Sequence, residues 1–427
     1  MITVEEHRAA VLAAVAPLEP RQVPLTEALD CVLAEDVVAT LAVPPFDNSA
    51  MDGYAVRTED VATAAGTTPV RLHVVADLPA GSGERPEVLP GTAVRIMTGA
   101  PMPPGADTIV PVEQTDQHVG PGAGSALPEV VEIRASAAVG AHLRRAGEDV
   151  SVGAPVLPAG VELGARELST AASTGHGTLP VRPRVRLGVL STGSELVAPG
   201  TALEHGQIPD SNSTLVAGLA ATSGARPVPL GSVVDDAGAL RARLRDSLPD
   251  VDAIVTTGGV SAGAYDVVKE VLAPLGEVTF SAVAMQPGKP QGFGVLRDGG
   301  RAVPIFCLPG NPVSVFVSYL AFVEPALRVM SGQGTTDEPE TLRPPLLEAV
   351  VEVGWTCPPG RRQYMPVVLE ESEDDAGTRV LLAHPAAAGG SGSHLVASLA
   401  RAHALAIVEA DVESVAVGDV VTVMMVP

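Results

Sequence analysis

The chain has 427 residues and is 46% hydrophobic, too much for one ordinary core, so several domains are expected. A formal net charge of −23 argues against nucleic acid or an anionic membrane surface as partner. Cys31, Cys307 and Cys357 lie far apart in no C-x-x-C pattern, which argues against a disulfide framework or a zinc knuckle and fits a reduced, cytoplasmic setting. No opening apolar block resembles a signal peptide, and no run is expected to reach the length of a membrane span.

In chain order, Val4, His7, Val11, Leu12 and Val15 recur at helical spacing and predict an amphipathic helix over residues 4–16. Residues 23–25 read as a strand edge and 27–38 as a short helix. From Met51 to about Val139 short apolar stretches stand between Gly and Pro, at 70–75, 93–96, 108–112 and 130–133, an all-β pattern. The Gly-rich stretch 120–125 reads as a surface loop, and residues 141–179 return to helix, one of them over 162–174.

Residues 180 to about 330 alternate strands with helices, which predicts a parallel sheet. The apolar run 251–255 leads into Thr256-Thr257-Gly258-Gly259-Val260-Ser261-Ala262-Gly263 and then a helical pattern over 264–272. Strand, glycine turn and helix present backbone N–H groups and a helix N-terminus to an anion. Two more loops are of this type, and a further one, 208–213, opens another helix. They are Ser191-Thr192-Gly193-Ser194-Glu195-Leu196, Ile208-Pro209-Asp210-Ser211-Asn212-Ser213 before a helix over 214–221, and Pro309-Gly310-Asn311-Pro312 before an apolar helix over 315–323. Ligands of parallel sheets sit outside the carboxyl ends of the strands, so all four loops are expected on one edge around an elongated phosphorylated ligand. The alternative is an α/β domain with ordinary tight turns. Residues 331–340 read as a linker. Strands then dominate at 346–353, 363–369, 380–382, 404–408 and 420–426, which predicts a barrel-like domain, with the acidic run 370–375 as a solvated hairpin tip.

The stretch Pro44-Pro45-Phe46-Asp47-Asn48-Ser49-Ala50-Met51-Asp52-Gly53-Tyr54-Ala55 resembles the opening motif of molybdopterin molybdotransferases, the MoeA-type enzymes and the E domain of gephyrin. Arg95-Ile96-Met97-Thr98-Gly99-Ala100, Pro104-Gly105-Ala106-Asp107-Thr108, Arg145-Ala146-Gly147-Glu148-Asp149, the four loops above and Pro287-Gly288-Lys289-Pro290 follow in family order. The resemblance implies a multidomain α/β plus β fold. It has a split N-terminal domain (1–44 and 141–179), an inserted β domain (45–140), a central parallel-sheet molybdopterin-binding domain (180–332) and a C-terminal β-barrel-like domain (333–427).

It also implies a reaction: molybdenum from molybdate enters adenylylated molybdopterin, and AMP leaves. Such a ligand is polyanionic, so carboxylates in its site need a divalent cation, here Mg²⁺, to offset their repulsion. Glu195, Asp235 and Asp266 are the expected metal ligands, and with Asp52 and Thr98 the expected catalytic set. By position alone, Asp235 also fits an N-cap and Asp266 a first-turn partner of the helix dipole. Asp52 and Thr98 equally fit local turn bonds. The expected substrate-binding residues are Asp149, Ser191, Thr192, Gly193, Asp210, Ser211, Asn212, Thr257, Gly258, Gly259, Ser261, Lys289, Pro309, Gly310, Asn311, Arg361 and Ser393. The resemblance implies an elongated homodimer whose β domain faces the α/β domain of the second chain, so that the site is shared.

One departure stands out. Where well-characterised bacterial members carry lysines before Pro-Gly-Lys-Pro, this chain has Ala282 and Gln286, and only Lys269 and Lys289 among its 27 basic residues are lysines. Weak molybdate binding is the expectation. The same departure admits a gephyrin-like dimeric scaffold that binds a partner's peptide tail near the C-terminal domain.

Overall fold

The computed structural model describes residues 1–117, 126–260, 267–275, 278–336, 342, 344–373, 377, 379–387, 392 and 395–427. The expected loop at 120–125 lies outside them. The opening helix runs Val4–Ala13 because Thr3 and Glu6 close a capping box, each side chain accepting from the other's backbone N–H. It buries Val4, His7, Val11 and Leu12. Desolvation pushes His7 down to about 4, and its ring meets Phe322 edge-on at 4.6 Å.

Residues 27–38 are not the expected helix. A 3₁₀ turn at Leu25–Glu27 is followed by the short strands Val32–Leu33 and Val37–Val38. Asp30 at φ 61 breaks helical continuity, and β-branched Val32 pairs with Arg182, burying itself in the sheet. That sheet places Thr178–Arg182 between Arg21–Pro24 and Val32–Leu33, so chain segments on both sides of the 45–140 stretch share one sheet. Within 141–179 the regular helix is Ala165–Ser173; the rest includes the short strands Leu143–Arg144 and Pro155–Leu157.

Between these flanks lies a five-stranded sheet in the order Thr108–Pro111, Gly53–Val56, Thr92–Ile96, Val70–Leu78 and Val130–Ile133. Each expected β stretch of this region is one of its strands. Its two sides cover separate clusters, one around Tyr54, Val110 and Ile133, the other around Leu78, Ile96 and Ile109.

The α/β sheet has six strands in the order Arg226–Val233, Arg186–Thr192, Ala253–Thr257, Arg301–Leu308, Pro290–Asp298 and Val278–Ala282. The first four are parallel; Pro290–Asp298 runs antiparallel to both of its neighbours, so the sheet is mixed rather than wholly parallel. The reason is that Pro290–Asp298 and Arg301–Leu308 meet through the tight Gly299-Gly300 turn, which leaves no room for a crossover helix. Helices cover both faces, so the central strand Ala253–Thr257 is wholly buried. Cys307 sits in this core, where burial pushes its thiol up to about 12.

The expected helix at 315–323 is the middle of a longer one. Pro312–Ser318 continues through a single π turn, Tyr319–Val323, into Glu324–Ser331, and Gly332 at φ 82 ends it. At 20 residues with a mean hydropathy of 1.5, this helix is long and apolar enough to cross a membrane, contrary to expectation. It is 94% buried within the protein, the signature of a core helix.

The C-terminal strands close on themselves. Arg362–Glu373 pairs with Arg379–Pro385 and with Ala404–Val408; Leu346–Val351 pairs with Arg379–Pro385 and with Val420–Met425; and Val420–Met425 pairs with Ala404–Val408. The five strands form a closed ring around Ala349, Val351, Met365, Val367, Ala383 and Ala406. Met285–Gln286, leaving the α/β sheet, adds to this barrel by pairing in parallel with Arg362–Gln363.

Candidate functional site

The parallel strands end on one edge, and the loops that leave them enclose a cavity of about 940 Å³. The turn after Arg186–Thr192 favours glycine through its backbone angle. Gly193 has φ 146, and a Cβ there would stand 2.6 Å from Glu195 Oε2. The next loop crosses it so closely that a Cβ on Gly258, at φ 94, would stand 2.6 Å from the Thr192 carbonyl oxygen. Small residues therefore let Thr192, Gly193, Thr257, Gly258 and Gly259 share one wall.

A buried hydroxyl holds that wall from behind. Ser191 Oγ donates to Asp210 Oδ1 at 3.0 Å and lies 2.8 Å from Ser213 Oγ and 3.0 Å from Thr257 Oγ1. Asp210 caps the Ser211–Thr222 helix by accepting the Ser213 N–H at 3.0 Å. Ser191 and Asp210 thus tie three loops together without lining the cavity, whereas Ser211 and Asn212 line it.

On the opposite side the N-cap of the Ala237–Ser247 helix is Asp236, which accepts the Ala239 N–H at 2.6 Å. Asp235 is free of that task. Its N–H donates to Ser194 Oγ and its Oδ2 accepts the Ser194 N–H, both at 3.1 Å, and it faces the cavity with Glu195. Among the described residues neither carboxylate forms an ion pair. Asp266 and Ser261 lie outside the described residues, as does Ser393. Among the described residues no three His, Cys, Asp or Glu side chains group as a metal site.

Two cations line the cavity, Lys289 and Arg361. Arg361 arrives there because the Met285–Gln286 strand is zipped to Arg362–Gln363. Arg362 is engaged by carboxylates: it bonds Glu409 at 2.8 Å and pairs with Glu5 of the opening helix. Burial pulls Arg362 down, but Tyr364, Glu409 and Glu5 outweigh it and hold the guanidinium above the usual arginine range. Gln286 lines the cavity, but Ala282 does not; Ala282 is exposed and pairs with Pro290 in the sheet.

Pro309, Gly310 and Asn311 complete the wall, with Pro312 and Ser314 from the long helix. The sequence reading passed over Ser314, Leu196, Val260, Met285 and Val396 as site residues. Ser314 sits one helical step past the Pro309–Pro312 motif and was findable; Val396 carries no local signal. Asp52, Thr98 and Asp149 do not line this cavity. Asp52 Oδ1 accepts from the Thr98 N–H at 2.7 Å and the Thr98 hydroxyl at 2.9 Å, bonds that join the turn before Gly53–Val56 to the turn after Thr92–Ile96 at one end of the five-stranded sheet. Asp149 is exposed, and its N–H donates to the Val43 carbonyl at 3.0 Å.

Three family descriptions match the chain in succession. They are "MoeA N-terminal region (domain I and II)" over residues 2–175, "Probable molybdopterin binding domain" over 188–329 and "MoeA C-terminal region (domain IV)" over 348–426. The chain is 44% identical over 424 residues to molybdopterin molybdenumtransferase 2 of Mycobacterium tuberculosis, covering 98% of each. It is 32% identical to the molybdopterin molybdenumtransferase of Bacillus subtilis, over 96% of this chain and 90% of the relative. Among solved structures, a molybdopterin biosynthesis MoeA protein of Pyrococcus horikoshii superposes with a TM-score of 0.74 at 29% identity, covering 100% of this chain and 99% of the other.

Proposed function

The chain belongs to the MoeA family of molybdopterin molybdenumtransferases, and from that premise we propose that the cavity at the strand ends is its reaction site. The protein is a transferase of molybdenum cofactor biosynthesis. Its relatives carry the enzyme's name, and no observation favours a gephyrin-like scaffold over that reading.

In this reading the substrates are adenylylated molybdopterin and molybdate; an oxygen from water or molybdate attacks phosphorus, the P–O bond to the bridging oxygen breaks, AMP leaves, and molybdenum enters the dithiolene. The observation that carries the assignment is the pair Glu195 and Asp235, carboxylates that form no ion pair among the described residues and face a cavity walled by glycine loops. Two open carboxylates repel a polyanion, and they fit a divalent cation. Glu195 and Asp235, with Asp266, would hold Mg²⁺, which when bound neutralises phosphate charge and polarises a phosphoryl oxygen. Thr192, Gly193 and the Thr257–Gly259 turn offer backbone and hydroxyl donors to phosphate. Lys289 and Arg361, with Ser393, attract the molybdate anion.

Asp52, Thr98 and Asp149 stand outside the cavity of their own chain, so their participation requires a homodimer in which the five-stranded sheet of one copy closes the cavity of the other. A cytoplasmic location completes the proposal. The test is AMP release from adenylylated molybdopterin by purified protein. Release that depends on both molybdate and Mg²⁺ supports it; binding of the substrate without molybdate-dependent release contradicts it.

A further inference from the structure

Lys289 reaches the cavity from a buried turn. The lysine is exposed, while Pro287 and Gly288 just before it are buried. With Gln286 neutral, Lys289 and Arg361 are the only cations that line the cavity among the described residues. Gly288 has φ 103, and a Cβ there would stand 2.9 Å from Ser318 Oγ. The turn therefore lies directly on the long core helix, where only glycine lets it approach so closely.

Two sets of bonds hold this turn. The Val283 N–H donates to the Lys289 carbonyl at 2.8 Å. The Gly288 carbonyl accepts from Gln291 Nε2 at 2.6 Å, and the same amide nitrogen donates to Ser318 Oγ at 2.7 Å. A carbonyl oxygen takes only a donor, so the Gln291 amide has one orientation, and both of its hydrogens are used. Gln291 is buried at the start of the Pro290–Asp298 strand and does not line the cavity. It acts on the site through the turn.

Resting on the function proposed above, we infer that Gln291 is the positioning residue for Lys289, the cation that attracts molybdate. An ammonium on a flexible stem is located by the backbone that carries it. Gln291 fastens that backbone to Ser318, on the same helix that supplies Pro312 and Ser314 to the cavity wall. The charge is thereby held in register with the wall, and a supporting hydrogen bond of this kind sets how well a site is organised before its ligand arrives.

Molybdate-dependent AMP release by the full-length protein tests this, with molybdate varied at saturating adenylylated molybdopterin. Gln291→Met keeps the reach of the side chain and deletes both donors. It should raise the KM for molybdate about five- to tenfold, the size of one lost hydrogen bond, with kcat and the KM for adenylylated molybdopterin within about twofold of wild type. Lys289→Ala should raise the molybdate KM at least as far, and adding Gln291→Met to it should change nothing further, because the two act as one unit. Ser318→Ala removes the second anchor and should move the molybdate KM in the same direction, which keeps the comparison if Gln291→Met does not fold. A Gln291→Met protein of lower thermal stability with the wild-type molybdate KM would overturn the inference and leave the reaction site standing. So would an undiminished effect of Gln291→Met in the Lys289→Ala background. Wild-type AMP release that ignores molybdate would overturn both.

Discussion

In the five-stranded sheet, Asp52 and Thr98 close on one another. Both Thr98 donors go to Asp52 Oδ1, and neither residue lines the cavity at the strand ends. In the α/β sheet, Asp235 and Ser194 also exchange two bonds, yet Asp235 looks with Glu195 into a cavity of about 940 Å³. Both acids sit in polar turns at strand ends. What separates them is convergence: the loops that follow the four parallel strands of the α/β sheet gather on one edge around the cavity, whereas Asp52 is engaged by the neighbouring Thr98 turn. A local motif can supply a carboxylate, but only topology supplies the wall around it.

The largest expected effect is on rate. Glu195→Gln and Asp235→Ala should each lower kcat for AMP release by about 10²- to 10³-fold, as expected for loss of an electrostatic group at the reacting centre. Both side chains are exposed, so thermal stability should barely change. Unchanged turnover in both would erase the distinction between the two turns. Asp52→Ala should cost as much rate if its turn serves a second copy; a turn that is only structural would lose stability and keep its kcat.

Ser191→Ala probes the wall rather than the site. Losing the buried hydroxyl that serves Asp210, Ser213 and Thr257 should cost about 1–3 kcal/mol in denaturant unfolding, with kcat within a few-fold of wild type. A hundredfold fall in kcat at full stability would move Ser191 from the wall into the reaction. Smaller again is the effect of restored charge. Gln286 lines the cavity and Ala282 does not, so Gln286→Lys should tighten molybdate binding about tenfold, or about 1.4 kcal/mol, and Ala282→Lys should not. The gain should shrink with added salt. Equal responses at both positions would mean that the cavity boundary does not govern anion affinity.

His7, remote from both turns, gives the stability reference. Its folded-state value of about 4 lies below the ordinary 6.5, so the unfolded chain binds a proton that the folded chain refuses. Stability should be level above pH 6.5 and fall between pH 6.5 and 4 by up to about 1.4 kcal/mol per unit from this group. His7→Phe should flatten that part of the profile, as read by denaturant midpoints; an unaltered slope would assign it to other groups.

The loops at 256–263 and 309–312 were legible because each joins an apolar strand pattern to a helical one through a glycine-bearing turn within a few residues. The strands of the closed barrel were legible too. What escaped depended on contacts distant in sequence. The stretch 27–38 has helical composition but is claimed by pairing with Arg182. The one reversed strand of the α/β sheet, Pro290–Asp298, is indistinguishable by apolar pattern from its parallel neighbours. Asp235 and Asp236 are adjacent acids, and only the helix start reveals that the second is the cap and the first is open. Ala282 and Gln286 read alike along the chain, yet the Gln286 strand is drawn onto the barrel and into the cavity wall. Val396 reaches the cavity only through the fold of the barrel region.

The central claim is that the Asp52 turn of one copy completes the Glu195–Asp235 cavity of another. Subunit complementation tests it most directly. Asp52→Ala and Asp235→Ala proteins, each inactive alone, are mixed, exchanged and assayed for AMP release. Random pairing makes half the dimers mixed, each with one intact shared site, so about a quarter of wild-type activity should return. No recovery after confirmed exchange would contradict the shared site.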